Sequence, residues 1–74
     1  MSETKLLPHQ ERVVDELQEL TIKRDSLLSF LDTKIFKSME SQDRNLLIIQ
    51  LETMDTYVYI LTCRIERFHE INNN

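Results

Sequence analysis

The sequence predicts an all-α fold: two long antiparallel helices forming a hairpin, with a short N-terminal segment, a helical turn between them, and assembly into a homo-oligomer. Leu47, Leu51, Met54, Val58, Leu61, Ile65 and Phe68 follow a strict 4-3-4-3-4-3 spacing, the signature of a long helix with one apolar seam. Val13, Leu17, Leu20, Leu27 and Leu31 repeat the pattern upstream with spacings of 4, 3, 7 and 4. Glycine is absent and proline occurs once, which removes the material for glycine turns and phosphate-cradling loops, so Rossmann and P-loop architectures are excluded. With 74 residues the chain is one domain (1–74), near the size where a single hydrophobic core becomes marginal.

Residues 1–7 read as a loose start. Pro8 suits a first helical turn, where its missing N–H would be unpaired anyway, and the first helix is expected from about Pro8 to Leu31. Its seam has one exception. Arg24 points within about 20° of the Val13 direction, so a cation sits amid the apolar stripe and needs a carboxylate, a backbone carbonyl or a ligand phosphate to hold it. Periodicity breaks over residues 32–41, where Asp32 with Ile35, Phe36 and Met39 predicts a single capped turn closing the end of the hairpin. Ser41 is the expected N-cap of the second helix, residues 42–70, with Asp43 in its first turn. The tail from Asn72 to Asn74 has nothing to bury and is expected to fray.

A second stripe lies about 100° around the same helix: Leu46, Gln50, Thr53, Tyr57, Ile60, Arg64 and Ile71. An isolated helix pair has one mutual interface, so only one of the two stripes can be covered within a chain. Ile22, Ile48 and Tyr59 add to the surplus of apolar surface, and self-association follows. The second stripe has two readings. It is an oligomer interface in which Tyr57 packs and Arg64 pairs with a carboxylate, or it leaves a polar pocket in which a base stacks on Tyr57 while a phosphate meets Arg64.

Composition narrows the partners. Nine Lys and Arg against 13 Asp and Glu give −4, and an acidic chain has no long-range attraction for duplex nucleic acid. A small anion needs only two or three placed cations. The longest uninterrupted apolar run is Leu46 to Ile49, and no basic stretch with an apolar block opens the chain, so the expectation is a soluble, unexported protein with no membrane partner. Cys63 has no internal disulfide partner, in keeping with a reducing compartment. His9, His69 and Cys63 lack zinc-site spacing, and no nucleophile stands beside a base, so neither a metal, a cofactor nor catalysis is expected. His9 falls near the apolar side of the first turn, where a packed or capping role competes with a ligand role. Arg12, Glu16, Glu19 and Lys23, three or four apart, read first as a solvated ladder of ion pairs, with Lys23 as an anion ligand the alternative.

The run Pro8-His9-Gln10, Arg12-Val13-Val14-Asp15-Glu16, Glu19-Leu20, Lys23, Leu27 and Phe30, followed by Leu46-Leu47, Gln50-Leu51, Met54, Tyr57, Ile60-Leu61, Arg64-Ile65 and Phe68, resembles the helical-hairpin domain of bacteriophage anti-CBASS sponges, shared with anti-Thoeris sponges. The resemblance covers nearly all of residues 8–68. It implies a non-enzymatic homo-hexamer in the host cytoplasm that sequesters cyclic oligonucleotide messengers and so blocks activation of an immune effector. It further implies that cyclic dinucleotides bind between protomers, with Lys23 at the phosphates and an aromatic ring on a base, and that cyclic trinucleotides use a separate site involving Arg64. No tyrosine precedes residue 57, so the ring falls to His9 or to Tyr57 of a neighbouring chain. His9, Arg12, Lys23, Tyr57 and Arg64 are therefore the candidate nucleotide-binding residues. A different class of function remains beside this one: a small helical hairpin that dimerises or binds another protein's helix through its second stripe.

Overall fold

A computed structural model describes residues 6–72, which form α1 (Pro8–Phe30), α2 (Lys34–Ser38) and α3 (Ser41–Asn72), with no strand among them. The expected loose start at residues 1–5 and the end of the tail at 73–74 lie outside the described residues. Laid end to end, α1 and α3 would reach about 80 Å at 1.5 Å per residue. The longest dimension is 55 Å, so the two helices lie alongside one another, as their mutual contacts require.

Each helix start has an identifiable cause. Leu7 precedes α1 in an extended conformation and has no polar side chain for capping, so the cap is supplied from inside the helix. Gln10 reaches back, and its Oε1 accepts the Leu7 N–H at 2.8 Å, while the Leu7 carbonyl accepts from Gln10 and Glu11 at 2.9 Å each. Gln10 is also the buried polar side chain of this turn, and His9 is exposed. This corrects the expectation of a packed or capping histidine. Only the third helical position has the reach to close a capping box, and His9 is at the second.

The connection differs from expectation by one residue at two places. Thr33, not Asp32, caps the short turn: its hydroxyl accepts from the Phe36 N–H at 3.2 Å and donates to the Phe30 carbonyl at 2.6 Å. One hydroxyl thus ends α1 and starts α2, which the Asp32 carboxylate, an acceptor only, could not do. Phe30 and Phe36 meet edge to face, with centroids 6.1 Å apart and planes at 77°, and fix the angle of the reversal. α3 begins at Ser41 itself, the Glu40 carbonyl accepting from the Arg44 N–H at 3.0 Å, and runs to Asn72 instead of stopping near Glu70.

The predicted seams are the sides withdrawn from water. Val13 and Leu61 are buried, Leu61 completely, and the other seam residues of both helices are half-buried. The residues of the second stripe, Leu46 through Ile71, are all exposed. Among the described residues, two buried apolar side chains, one of them completely, at roughly 1.5–3 kcal/mol each, are a small core to set against the ordering of the chain.

Arg24 has its carboxylate. Nη1 donates to Asp55 Oδ1 at 2.9 Å across the two helices, and Nε lies 3.1 Å from Asp25 Oδ1, close enough to pair but off the line a hydrogen bond needs. Leu61→Ala should cost roughly 2–5 kcal/mol in a denaturant melt, because it empties the most buried position. Arg24→Met should change stability by less than about 1 kcal/mol, since Asp55 is half exposed and stays hydrated without its partner. A loss for Arg24→Met as large as that for Leu61→Ala would show that the ion pair, not the apolar seam, holds the helices together.

Candidate functional site

On the flank opposite the Arg24–Asp55 pair, α1 and α3 diverge enough to leave a groove of about 230 Å³. Glu16, Glu19, Leu20 and Lys23 line it from α1, and Tyr57 lines it from α3. The α1 residues share this side because spacings of three and four return to one face of a helix. Tyr57 reaches them because its stripe begins where the buried seam of α3 ends. Its hydroxyl donates to Glu16 Oε2.

That bond fixes the ring and sets its ionisation. The Tyr57 pKa is raised above the ordinary tyrosine value, first by the hydrogen bond to Glu16 and next by loss of water, and the charge of Glu16 adds to the effect. Arg64, two turns further along the stripe, pulls the other way, so its guanidinium is close enough to be felt at the phenol. Tyr59, 68% exposed on another face, is also raised, chiefly by its hydrogen bond to Cys63 one turn on.

Of the five candidate residues, the structure brings Lys23 and Tyr57 into one groove and leaves Arg64 exposed on the adjoining stripe. His9 and Arg12 are exposed near the start of α1 and do not line the groove. The expected ring, His9 or Tyr57 of a neighbouring chain, gains a further arrangement, because within one chain Tyr57 already lines the groove with Lys23. The ladder of ion pairs through Arg12, Glu16, Glu19 and Lys23 does not form. Among the described residues both ion pairs belong to Arg24, and Glu16 is engaged by the tyrosine.

Glu16 and Glu19 were missed as site residues by the sequence reading. Their spacing to Lys23, seven and four residues, is the signal that places all three on one flank. The groove therefore has one cation and two carboxylates, an acceptor-rich lining with an aromatic wall. A second, larger depression of about 430 Å³ is lined by Leu6, Glu11, Val14 and Asp15; with two carboxylates and no cation it offers nothing to an anion. Among the described residues no group of three or more His, Cys, Asp or Glu is placed to hold a metal ion.

The exposed stripe of α3 is more apolar than its residue types suggest. Thr53 turns its hydroxyl back to the Ile49 carbonyl at 2.9 Å. Leu46, Ile49, Ile60 and Ile71 remain open to solvent, Ile60 at 46%. By length and composition alone α3 could cross a membrane, which counting uninterrupted apolar residues had concealed.

Compared with known proteins, the chain matches the family described as Sequestin over residues 7–67. It is 32% identical over 63 residues to an uncharacterised 7.5 kDa protein of Enterobacteria phage T4 from the denB-rIIB intergenic region, covering 85% of this chain and 98% of that protein. No solved structure matches it significantly.

The Tyr57–Glu16 bond makes a testable statement about pH. A bond that holds the protonated phenol gives its full stabilisation below the ordinary tyrosine value of about 10 and loses it as pH rises through the raised value. In a Tyr59→Phe background, ultraviolet titration should place Tyr57 above a free tyrosine, and Glu16→Ala should bring it down. A Tyr57 titration unmoved by Glu16→Ala would show that the two do not bond in solution.

Proposed function

The chain belongs to the Sequestin family, and we propose that it acts as that name describes, sequestering cyclic di- and trinucleotide messengers without cleaving them and so denying them to a CBASS effector. The observation that carries this reading is the groove in which Lys23 and Tyr57 face each other. A cyclic dinucleotide has two flat bases and two phosphate charges, and an aromatic wall beside an ammonium meets one of each. Its phage relative supports a setting in phage infection of a host cell.

One chain is not the whole site. Lys23 alone is outweighed by Glu16 and Glu19, so a dianionic ligand needs further cations, and a second copy of a symmetric assembly supplies a second Lys23 together with Arg12 and Arg64. The exposed second stripe of α3 is where we place that contact, in a helical hairpin assembled as a homo-oligomer, a hexamer by resemblance to the sponges. A membrane span suits α3 less well. Glu52 and Asp55 sit midway along α3, and an acidic residue at the centre of a membrane helix costs about 2.5–3.5 kcal/mol. Sequestration also needs no lid or reactive group, only burial of the ligand.

Charge-assisted contacts of about 1.5–3 kcal/mol each set the expected effects. Lys23→Ala should weaken cyclic-dinucleotide binding by roughly tenfold to a few hundredfold while leaving assembly intact, since Lys23 is exposed beside the seam. Arg64→Ala should instead weaken cyclic trinucleotides. Calorimetry on both variants with both ligand classes reads this directly, and unchanged binding by an assembled Lys23→Ala protein would put the pocket elsewhere. Heating the wild-type complex should release intact nucleotide; a cleaved product would replace sequestration with hydrolysis. If nothing is retained at 260 nm after desalting, the alternative of a helical module for another protein takes its place.

A further inference from the structure

A groove built only to read phosphates would not keep a free carboxylate beside its lysine. Glu16 is accounted for, since its Oε2 takes the Tyr57 hydroxyl. Glu19 is not. It lines the groove, is exposed, and forms no ion pair with Lys23 four residues on, although that spacing would allow one. Left as it stands, it repels any anionic ligand that Lys23 attracts. Cations of a second copy can offset the charge, but the carboxylate itself becomes a favourable contact when the ligand brings hydrogen-bond donors to it.

We propose that Glu19 is a specificity-determining residue that accepts the paired N–H donors of a guanine edge, so that the groove selects guanine-containing cyclic nucleotides over adenine-only ones. The inference rests on the sequestration reading and names the base that it leaves open. Guanine presents N1–H and N2–H side by side, a donor pair that matches the two oxygens of one carboxylate. Adenine presents a single amino group flanked by an acceptor nitrogen, which would face a carboxylate with nothing to donate, and a site built for donors rejects a ligand that lacks them. The placement fits one nucleotide. Glu19 and Lys23 are one turn apart, about 6 Å along the axis, so base edge and phosphate are read from neighbouring turns while the Tyr57 ring, held by Glu16, forms the opposite wall.

Cyclic di-GMP and cyclic di-AMP share backbone and charge and differ only in the base, so together they isolate this contact. Calorimetry of the full chain should show cyclic di-GMP bound tighter by roughly ten- to a hundredfold. Glu19→Gln should erase that preference, losing affinity for cyclic di-GMP but not for cyclic di-AMP, because an amide can pair with adenine and no longer offers two acceptors to guanine. Circular dichroism should show both proteins equally helical, as substitution at an exposed position predicts. Equal wild-type affinities, or a preference that survives in Glu19→Gln, would overturn the role of Glu19 and leave sequestration standing. Failure of the wild type to bind either ligand would overturn this inference, and failure to retain any cyclic di- or trinucleotide would remove the sequestration reading as well.

Discussion

Everything in this chain follows from a mismatch on one helix. A straight helix offers a neighbour a single stripe, and α3 has two, about 100° apart. α1 covers the first, from Leu47 through Phe68, with Leu61 at its most buried point. None of the described residues covers the second. The proposed second partner for α3 has this physical ground: Leu46, Ile60 and Ile71 stay open to solvent, while among the described residues only Leu61 is completely buried.

The candidate site is a by-product of the same geometry. Where the buried and exposed stripes of α3 meet, Tyr57 is 39% exposed, enough to form a wall while its hydroxyl is tied to Glu16. The opposite flank carries the Arg24–Asp55 pair, and the side that opens beside the second stripe is the one with Lys23. An acidic chain with a single groove cation cannot hold a dianion by itself. The proposed homo-oligomer would cover the open stripe of α3 and complete the charge of the groove in one assembly.

The long elements were legible because each rests on a period sustained over many residues. The 4-3 repeat of α3 places its seam residues on the buried side, and α1 ends at Phe30, one residue before Leu31, the last of its seam. Single-residue features were harder to read. Whether Asp32 or Thr33 caps α2 depends on one hydroxyl serving two helices at once, and the choice of Gln10 over His9 depends on the reach to the Leu7 N–H. In the groove, Tyr57 could be named from the chemistry of its stripe and Lys23 from the resemblance to the sponges, but Glu16 and Glu19 looked like ordinary solvated acids. Their place beside Tyr57 depends on how α1 is rotated against α3, which the periodicity of either helix alone does not determine. Arg24 shows the opposite case, where a cation out of place in a seam announced that a carboxylate must face it.

The central claim, that α3 is completed by further copies of the chain, is tested most directly by light scattering on the purified protein beside an Ile60→Asp variant. The account predicts a wild-type mass at a whole multiple of 8.9 kDa, falling in the variant because an unpaired charge has been placed in the contact. A wild-type protein that stays helical and monomeric at 8.9 kDa would contradict it.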